Sequence, residues 1–278
     1  MSQPVAIVTG AGKGLGRAYA HKLANLGIRV VVNNRSHPDQ PNSADAVVAE
    51  IKALGASAVA EYSSAQDPES GINLLNKALD TWGRLDIVVA NAGFDHPQSF
   101  HKQSFADFEA IMETNFYGTA RLLHAVWPHL RSAGYGRVVV SSSTAGLYGN
   151  HGQSAYAASK AALIGLMRSL HHEAKGHDIS INAIAPYALT PLTAQWFPEN
   201  WADVFSAEHV AESLSLLVSS DNRASGKIFI SGAGKVREAR MQETQALDLT
   251  DNAVDDLANL SALETPESAS QEFERFLL

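Results

Sequence analysis

Residues 9–16 read TGAGKGLG, a glycine-rich turn between an apolar β-type run at 4–10 and a segment, 15–26, whose apolar residues recur at helical spacing. A strand that turns this tightly into a helix constrains the next strand, because a strand reached through a crossover helix lies parallel to the first. The alternation then continues. Strand patterns at 28–34, 57–62, 85–93, 137–143, 179–186 and 227–234 are separated by helical patterns at 44–54, 68–82, 105–131, 154–174 and 207–219. The pattern at 105–131 is broken near Gly118 and Pro128. Such a sequence predicts an α/β fold, a doubly wound parallel sheet with helices on both faces and ligands gathered at the carboxyl ends of its strands. With 278 residues, 45% of them hydrophobic, the chain suits one large domain, expected over 1–236, plus a C-terminal helical extension over 237–278.

Gly10, Gly14 and Gly16 fall in the spacing T-G-x-x-x-G-x-G. Glycine there permits the bend and lets a pyrophosphate approach the backbone, and the helix N-terminus favours the anion. A glycine-rich turn alone also serves purely structural ends. Its place after the first strand of an α/β pattern is what points to a dinucleotide. The second strand ends at Asn34, followed by Arg35. An acid at that end would chelate the adenosine ribose and repel a 2′-phosphate, whereas a cation would welcome one. Asn34 and Arg35, with Lys13 in the glycine turn, favour NADP(H). NAD(H) is the alternative if both cations are only solvated surface charges.

The stretch STAGLYGNHGQSAYAASK, residues 143–160, places a hydroxyl, a phenol and an ammonium within one short span. Tyr156 and Lys160 are four apart in a helical pattern and share one face. A phenol ionises near pH ~10, so proton transfer near neutrality needs its pKa lowered by about three units, and a lysine one turn away supplies field of that sign. Such a pair also arises by chance on many helices, and its weight comes from the motifs around it.

A net charge of −8 argues against bulk attraction to nucleic acid or an anionic membrane. The chain has no cysteine, which excludes disulfides, thiolate metal sites and a cysteine nucleophile. No His or carboxylate cluster has metal-ligand spacing, so no metal is expected. Without a basic n-region or a membrane-length apolar run, a cytoplasmic protein is expected.

In chain order the motifs are the glycine turn, Asn91-Ala92-Gly93 after the fourth strand, Asn115, Ser143, Tyr156 and Lys160. This succession resembles the short-chain dehydrogenase/reductase family over nearly the whole chain. The resemblance implies a Rossmann-type sheet and reversible hydride transfer between a nicotinamide and a secondary alcohol or ketone. Tyr156 is then the proton carrier, Lys160 the group that lowers its pKa and holds the nicotinamide ribose hydroxyls, both thus touching the cofactor, Ser143 the group that bonds the substrate oxygen, and Asn115 the holder of a water on the proton path. It also implies that Asn91 steadies the sheet, and that Leu15, Ala92, Gly93, Pro186, Leu189 and Thr190 join the glycine turn at the cofactor. GLGRAYA, VVVNN, SSTAGLYGNHGQSAY and LTDNAVDDLANLSALETPESA are similar to the (3R)-hydroxyacyl-CoA dehydrogenase domain of peroxisomal multifunctional enzyme type 2 and its bacterial relatives. Asn34, Ser63 and Tyr187 depart from that pattern, Ser63 standing where relatives carry an acid for the adenine and Tyr187 where they carry glycine.

The resemblance implies a small-molecule substrate, an acyl-CoA or other 3-oxoacyl thioester, in a homodimer or homotetramer. A steroid, polyketide or other bulky ketone is the alternative substrate, and a non-catalytic cofactor sensor a further one. Aromatic residues in the loop 193–203 suit a lid or core anchors equally. Helical patterns at 251–262 and 266–277, each after a capping threonine, predict a tail that docks rather than one that stays disordered.

Overall fold

The computed structural model describes residues 3–37, 40–194, 198–244 and 262–264. Eight strands form one sheet: β1 (Val5–Val8), β2 (Arg29–Asn33), β3 (Ala58–Glu61), β4 (Ile87–Ala90), β5 (Tyr135–Ser141), β6 (Asp178–Pro186), β7 (Ile228–Gly232) and β8 (Lys235–Ala239). Their order is 3-2-1-4-5-6-7-8, and every pairing from β3 to β7 is parallel. Val8 of β1 lies opposite Val32 of β2 and Val89 of β4. The chain runs outward from β1 to β3 and returns to β4, so the loops leaving β1 and β4 diverge and open a crevice at their carboxyl ends.

The strands are almost wholly apolar because both faces are covered. Ala6, Val8, Val30, Val32 and Val89 pack against α1 (Gly14–Asn25), α2 (Ser43–Ala53) and α8 (Ala207–Val218) through Leu23, Val47, Ile51, Val210 and Leu214. The alternate residues Val5, Ile7, Val31 and Val88, equally buried, face the other way by the two-residue period of a strand. That face is covered by α3 (Ser70–Trp82), α5 (Gly118–Ala133) and α7 (Ser154–Glu173). Each fully buried Leu or Ile contributes about 1.5–3 kcal/mol.

Between β4 and β5, α4 (Phe105–Met112) runs into a π-helical turn, Glu113–Tyr117, and then into α5. The interruption therefore lies before Gly118, and Pro128 sits inside α5 without ending it. Gly118 has a packing role: a Cβ there would lie 2.7 Å from Cβ of Ala65. A short helix that the periodicity does not predict, α6 (Ala145–Tyr148), separates Ser143 from α7.

The last sheet strand, too, is not predicted by the periodicity. β7 and β8 are adjacent and joined by two residues, Ala233 and Gly234, at φ 51° and 68°, a connection that only antiparallel neighbours accept. By its contacts the chain divides into two compact units, Met1–Arg237 and Glu238–Leu278. In the second, β9 (Glu243–Thr244) pairs antiparallel with β10 (Ala262–Glu264). Apart from Ala262, the two helical patterns expected in the tail lie outside the described residues.

Candidate active site

The glycine turn folds as its spacing requires. Gly14 has φ 55°, and a Cβ on Gly16 would fall 2.1 Å from the carbonyl oxygen of Gly10. The turn is pinned to the loop after β4 by Thr9, whose Oγ1 accepts from the N–H groups of Asn91 at 2.9 Å and Ala92 at 3.0 Å. α2, α4 and α8 are capped by the side chains of Asn42, Ser104 and Ser206. At α1, in contrast, Lys13 gives no side-chain cap and the first turn, with Leu15, holds no acid. Its first N–H groups have no side-chain partner and suit a phosphate.

Gly12, outside the spacing that marks the other three, is the tightest of the set. A Cβ there would lie 2.0 Å from Ser43 Oγ and 2.9 Å from Asn34 Cγ. Asn34 in turn donates to Ser43 Oγ at 2.9 Å, so the end of β2, the start of α2 and the glycine turn converge. Arg35 and Lys13 are exposed. Beside them Asn33, which no sequence motif marks, donates to Glu61 Oε2 at 2.6 Å, and Glu61 Oε1 accepts from Ser63 N–H and Oγ–H at 2.9 and 2.6 Å. Ser63 is thus fixed by an acid two residues earlier. Asp67 instead accepts from Glu69 N–H. The close-packed glycines and uncapped amides fit a dinucleotide.

Asn91 links three strand ends, donating to Thr9 O at 3.1 Å and accepting from Ser141 Oγ at 3.1 Å. A Cβ on Gly93 would lie 3.4 Å from Lys160 Nζ and 3.0 Å from Asn115 Oδ1, which brings the loop after β4 against both residues. On the far side, Thr190 approaches the glycine turn, its Cβ 3.4 Å from a Cβ built on Gly14. Its N–H donates to Thr193 Oγ1 at 2.9 Å, and Leu189 N–H donates to Phe205 O at 2.7 Å. Pro186 ends β6, and Tyr187 continues the ladder by donating to Ser231 O at 2.7 Å. Tyr187 lies so close to Gly232 that a Cβ there would meet Tyr187 Cβ at 2.8 Å. In the aromatic loop Trp201 is 46% exposed and rests on Phe205, while residues 195–197 lie outside the described residues.

The structure brings Asn115, Ser143, Tyr156 and Lys160 together at the carboxyl ends of β4 and β5. The three consecutive serines divide their work. Ser141 O accepts from Lys160 Nζ at 2.7 Å, Ser142 Oγ donates to the Lys160 carbonyl at 2.9 Å, and Ser143 reaches the Tyr156 phenol. Tyr156 and Ser143 are half-buried on the open side. Lys160 and Asn115 lie behind them, fully enclosed. Asn115 sits in the π turn, clamps Phe94 and donates to Ser159 Oγ at 3.1 Å. Its carbonyl accepts from Thr119 Oγ1 at 3.2 Å.

The electrostatics differ from the sequence expectation. Burial pushes the Tyr156 phenol up to about 12, opposed by the neighbouring Ser143 hydroxyl, and pushes the Lys160 ammonium down to about 8. Burial is the largest influence on the phenol, while the Lys160 ammonium donates to Ser141 O at 2.7 Å and stands 5.6 Å from the ring centroid. Three arginines are engaged away from this cluster: Arg84 pairs with Asp86, Arg121 with Glu113, and Arg137 is buried against Asp178 at the opposite end of β5. Among the described residues no helix is long and apolar enough to cross a membrane.

Residues 4–201 match the family model of the short chain dehydrogenases. The chain is 39% identical over 242 residues to a short-chain type dehydrogenase/reductase of Mycobacterium tuberculosis, covering 85% of each. It is 38% identical over 245 residues to peroxisomal multifunctional enzyme type 2 of Mus musculus, covering 86% of this chain but 33% of that longer protein. It is 34% identical over 194 residues to a 3-oxoacyl-[acyl-carrier-protein] reductase of Synechocystis, covering 69% of this chain and 77% of that one. A solved short chain dehydrogenase from Mycobacterium avium superposes with a TM-score of 0.83 at 31% identity, covering 95% of this chain and 97% of the other. The chain belongs to the short-chain dehydrogenase/reductase family and is an oxidoreductase of hydroxyl and keto groups.

Proposed function

We propose that the protein interconverts a 3-hydroxyacyl and a 3-oxoacyl thioester, of coenzyme A or a carrier protein, with NADP(H) as the hydride carrier. The observation that carries the reading is that half-buried Ser143 and Tyr156 lie before the enclosed Lys160, against which stands Gly93 of the loop whose Ala92 meets Gly10 of the glycine turn. The thioester is supported by the likeness to the reductase and multifunctional-enzyme relatives.

Gly10, Gly14, Gly16, Lys13 and Leu15 would hold the cofactor's pyrophosphate, and Asn34 with Arg35 its adenosine end. Asn91, Ala92, Gly93, Pro186, Leu189 and Thr190 would flank its nicotinamide half. When bound, the nicotinamide supplies or accepts the hydride. Ser143 donates to the substrate oxygen and fixes its place beside Tyr156. The high proton affinity of the buried phenol keeps it protonated at neutral pH, ready to give its proton to a ketone oxygen as that oxygen gains charge. In the reverse direction Tyr156 must first lose the proton, so alcohol oxidation rises with pH. Lys160 would hold the nicotinamide ribose hydroxyls beside Tyr156, and its positive charge on the enclosed side favours the phenolate. The absence of an acid at Asn34, with exposed Arg35 and Lys13 nearby, supports NADP(H).

The test is turnover of 3-oxoacyl-CoA, 3-hydroxyacyl-CoA and steroid ketones with each cofactor, in the native protein and in Tyr156→Phe. Thioester turnover with NADPH, abolished in Tyr156→Phe while NADPH binding is kept, is expected. Turnover of the steroid ketones alone overturns the substrate, a lower KM for NADH overturns the cofactor, and activity retained in Tyr156→Phe overturns the mechanism. Mass measurement in solution tests the expected homodimer or homotetramer.

A further inference from the structure

The loop after Gly93 carries an acid to which the redox reaction gives no part. Asp95 is half-buried, and its Oδ2 accepts a hydrogen bond from Gln153 Nε2. Gln153 is itself buried, at the N-cap of α7, three residues before Tyr156 and seven before Lys160. Its own Oε1 accepts from Asn150 Nδ2 at 2.7 Å, which fixes the amide's orientation and leaves Nε2 to face the acid. The other carboxylate oxygen, Oδ1, is buried with no hydrogen-bond partner.

The loop is held on both sides of this acid. Phe94 is gripped by Asn115, and Gln98 N–H donates to Gly152 O at 2.8 Å. A desolvated, half-unpaired carboxylate is costly unless it faces an opposite charge. Two residues before Asp95, a Cβ on Gly93 would lie 3.4 Å from Lys160 Nζ, so the loop sets the acid near the enclosed Lys160 ammonium, whose hydrogen-bond acceptor is the Ser141 carbonyl, and the two opposite charges attract.

We propose that Asp95 is a positioning residue of the redox site: clamped by Gln153, it is the fixed negative charge that balances the buried Lys160 ammonium and sets the pH range in which Tyr156 and Lys160 work. The inference rests on Tyr156 and Lys160 being the proton-handling pair. Facing Lys160 are Asp95 from the loop after β4, the Ser141 carbonyl from β5 and the Tyr156 ring from its own helix, with the Asn115 amide beside Gly93. Facing Tyr156 are Ser143 and Asp95. Facing Asp95 are Gln153, Lys160 and its neighbour His96.

The sign follows from the charge. A nearby anion makes a proton harder to remove from both the ammonium and the phenol, so neutralising Asp95 lowers both affinities. Burial already brings Lys160 down to about 8, and without Asp95 it falls further. Both limbs of the pH profile then move to lower pH.

The experiment uses the full chain with Asp95→Asn, which keeps an oxygen for Gln153, and Asp95→Glu, which keeps the charge. The first readout is the pH titration of the Lys160 side chain by NMR in 15N-lysine-labelled, cofactor-free protein. It requires no substrate, so it stands apart from the thioester assignment. The second is the pH profile of kcat. Asp95→Asn is expected to lower both midpoints by about half a pH unit or more, a threefold change in proton affinity, with Asp95→Glu near the native values. A residue that only holds the loop would lower kcat evenly across pH and leave the midpoints fixed, and that result overturns the proposal. Should Asp95→Asn fail to fold, Gln153→Leu carries the same test, because a released carboxylate turns to water and the Lys160 midpoint again falls; an unmoved midpoint there is equally fatal. Thioester turnover with unmoved midpoints would sink this inference alone.

Discussion

Asn115 grips the Phe94 peptide from both sides, accepting from its N–H at 2.9 Å and donating to its carbonyl at 3.0 Å. A polar side chain inside a long helical pattern ordinarily faces water. The π turn Glu113–Tyr117 inserts one residue into the register and re-aims the side chains around it, and Asn115 is fully buried as a result. Through Phe94 it holds the segment that carries Gly93 and Asp95, so a local irregularity in one helix fixes the geometry of the loop after β4.

Asn115→Ala is expected to leave both polar groups of the Phe94 peptide unpaired, at a cost of about 2–4 kcal/mol. Denaturant unfolding should show that loss. The kcat should fall more than the KM for cofactor rises, because the affected loop lies nearer the reacting groups than the glycine turn. An unfolding midpoint equal to that of the native protein would contradict the clamp.

The strand–helix alternation is legible in the sequence because buried parallel strands are continuous apolar runs and their helices carry a regular stripe, so residues 5–8 or 87–90 declare themselves. Ser143, Tyr156, Lys160 and the glycine turn are legible because their spacing is set by local backbone. What escapes is non-local. Gly12 matters through contact with Ser43, 31 residues on, and Asp95 through Gln153, 58 residues on. α6 escapes because it is a single turn, and β8 because KVREA is a polar, largely exposed run rather than a continuous apolar one. The phenol's proton affinity runs against the expectation because helical spacing shows that a lysine is near but not that burial outweighs it.

Lys160 should weaken the fold that it serves. Its folded-state pKa of about 8 lies below the unfolded value of about 10.4, so between those values the unfolded chain binds more protons and stability rises with pH. At pH 7 the ammonium is charged in both states and the full burial cost is present. Lys160→Met combined with Asp95→Asn, so that no carboxylate is left facing a lost charge, is expected to abolish turnover yet raise stability at pH 7 by about 1–3 kcal/mol, allowing for the bond to Ser141 that is lost. The gain should shrink toward pH 10. Calorimetry across that range tests it, and a destabilised variant at pH 7 contradicts it.

The β7–β8 hairpin holds a small reserve of stability. Ala233, at φ 51°, occupies the left-handed region that costs an L-residue about 1–2 kcal/mol. Ala233→Asn makes the Asn-Gly pair that this two-residue turn prefers and should stabilise by about 0.5–1 kcal/mol. Ala233→Val, β-branched, should destabilise. Thermal midpoints in the order Asn, Ala, Val are expected, and a reversed order would place the turn elsewhere.

The convergence at Gly12 gives the sharpest test of the cofactor site. A methyl group there falls 2.0 Å from Ser43 Oγ, well inside contact distance, so Gly12→Ala must push the glycine turn and the start of α2 apart. Cofactor affinity should fall by about tenfold or more, since ~1.4 kcal/mol of strain suffices for that factor. Ser43→Gly removes the clashing hydroxyl and the Cβ that would stand 2.8 Å away, though Asn34 Cγ at 2.9 Å stays. The double variant should therefore recover much of the affinity lost in Gly12→Ala, measured by fluorescence titration with NADPH. Additive losses in the double variant would mean that the turn is displaced by something other than Ser43, because residues in direct contact show coupling and independent ones do not.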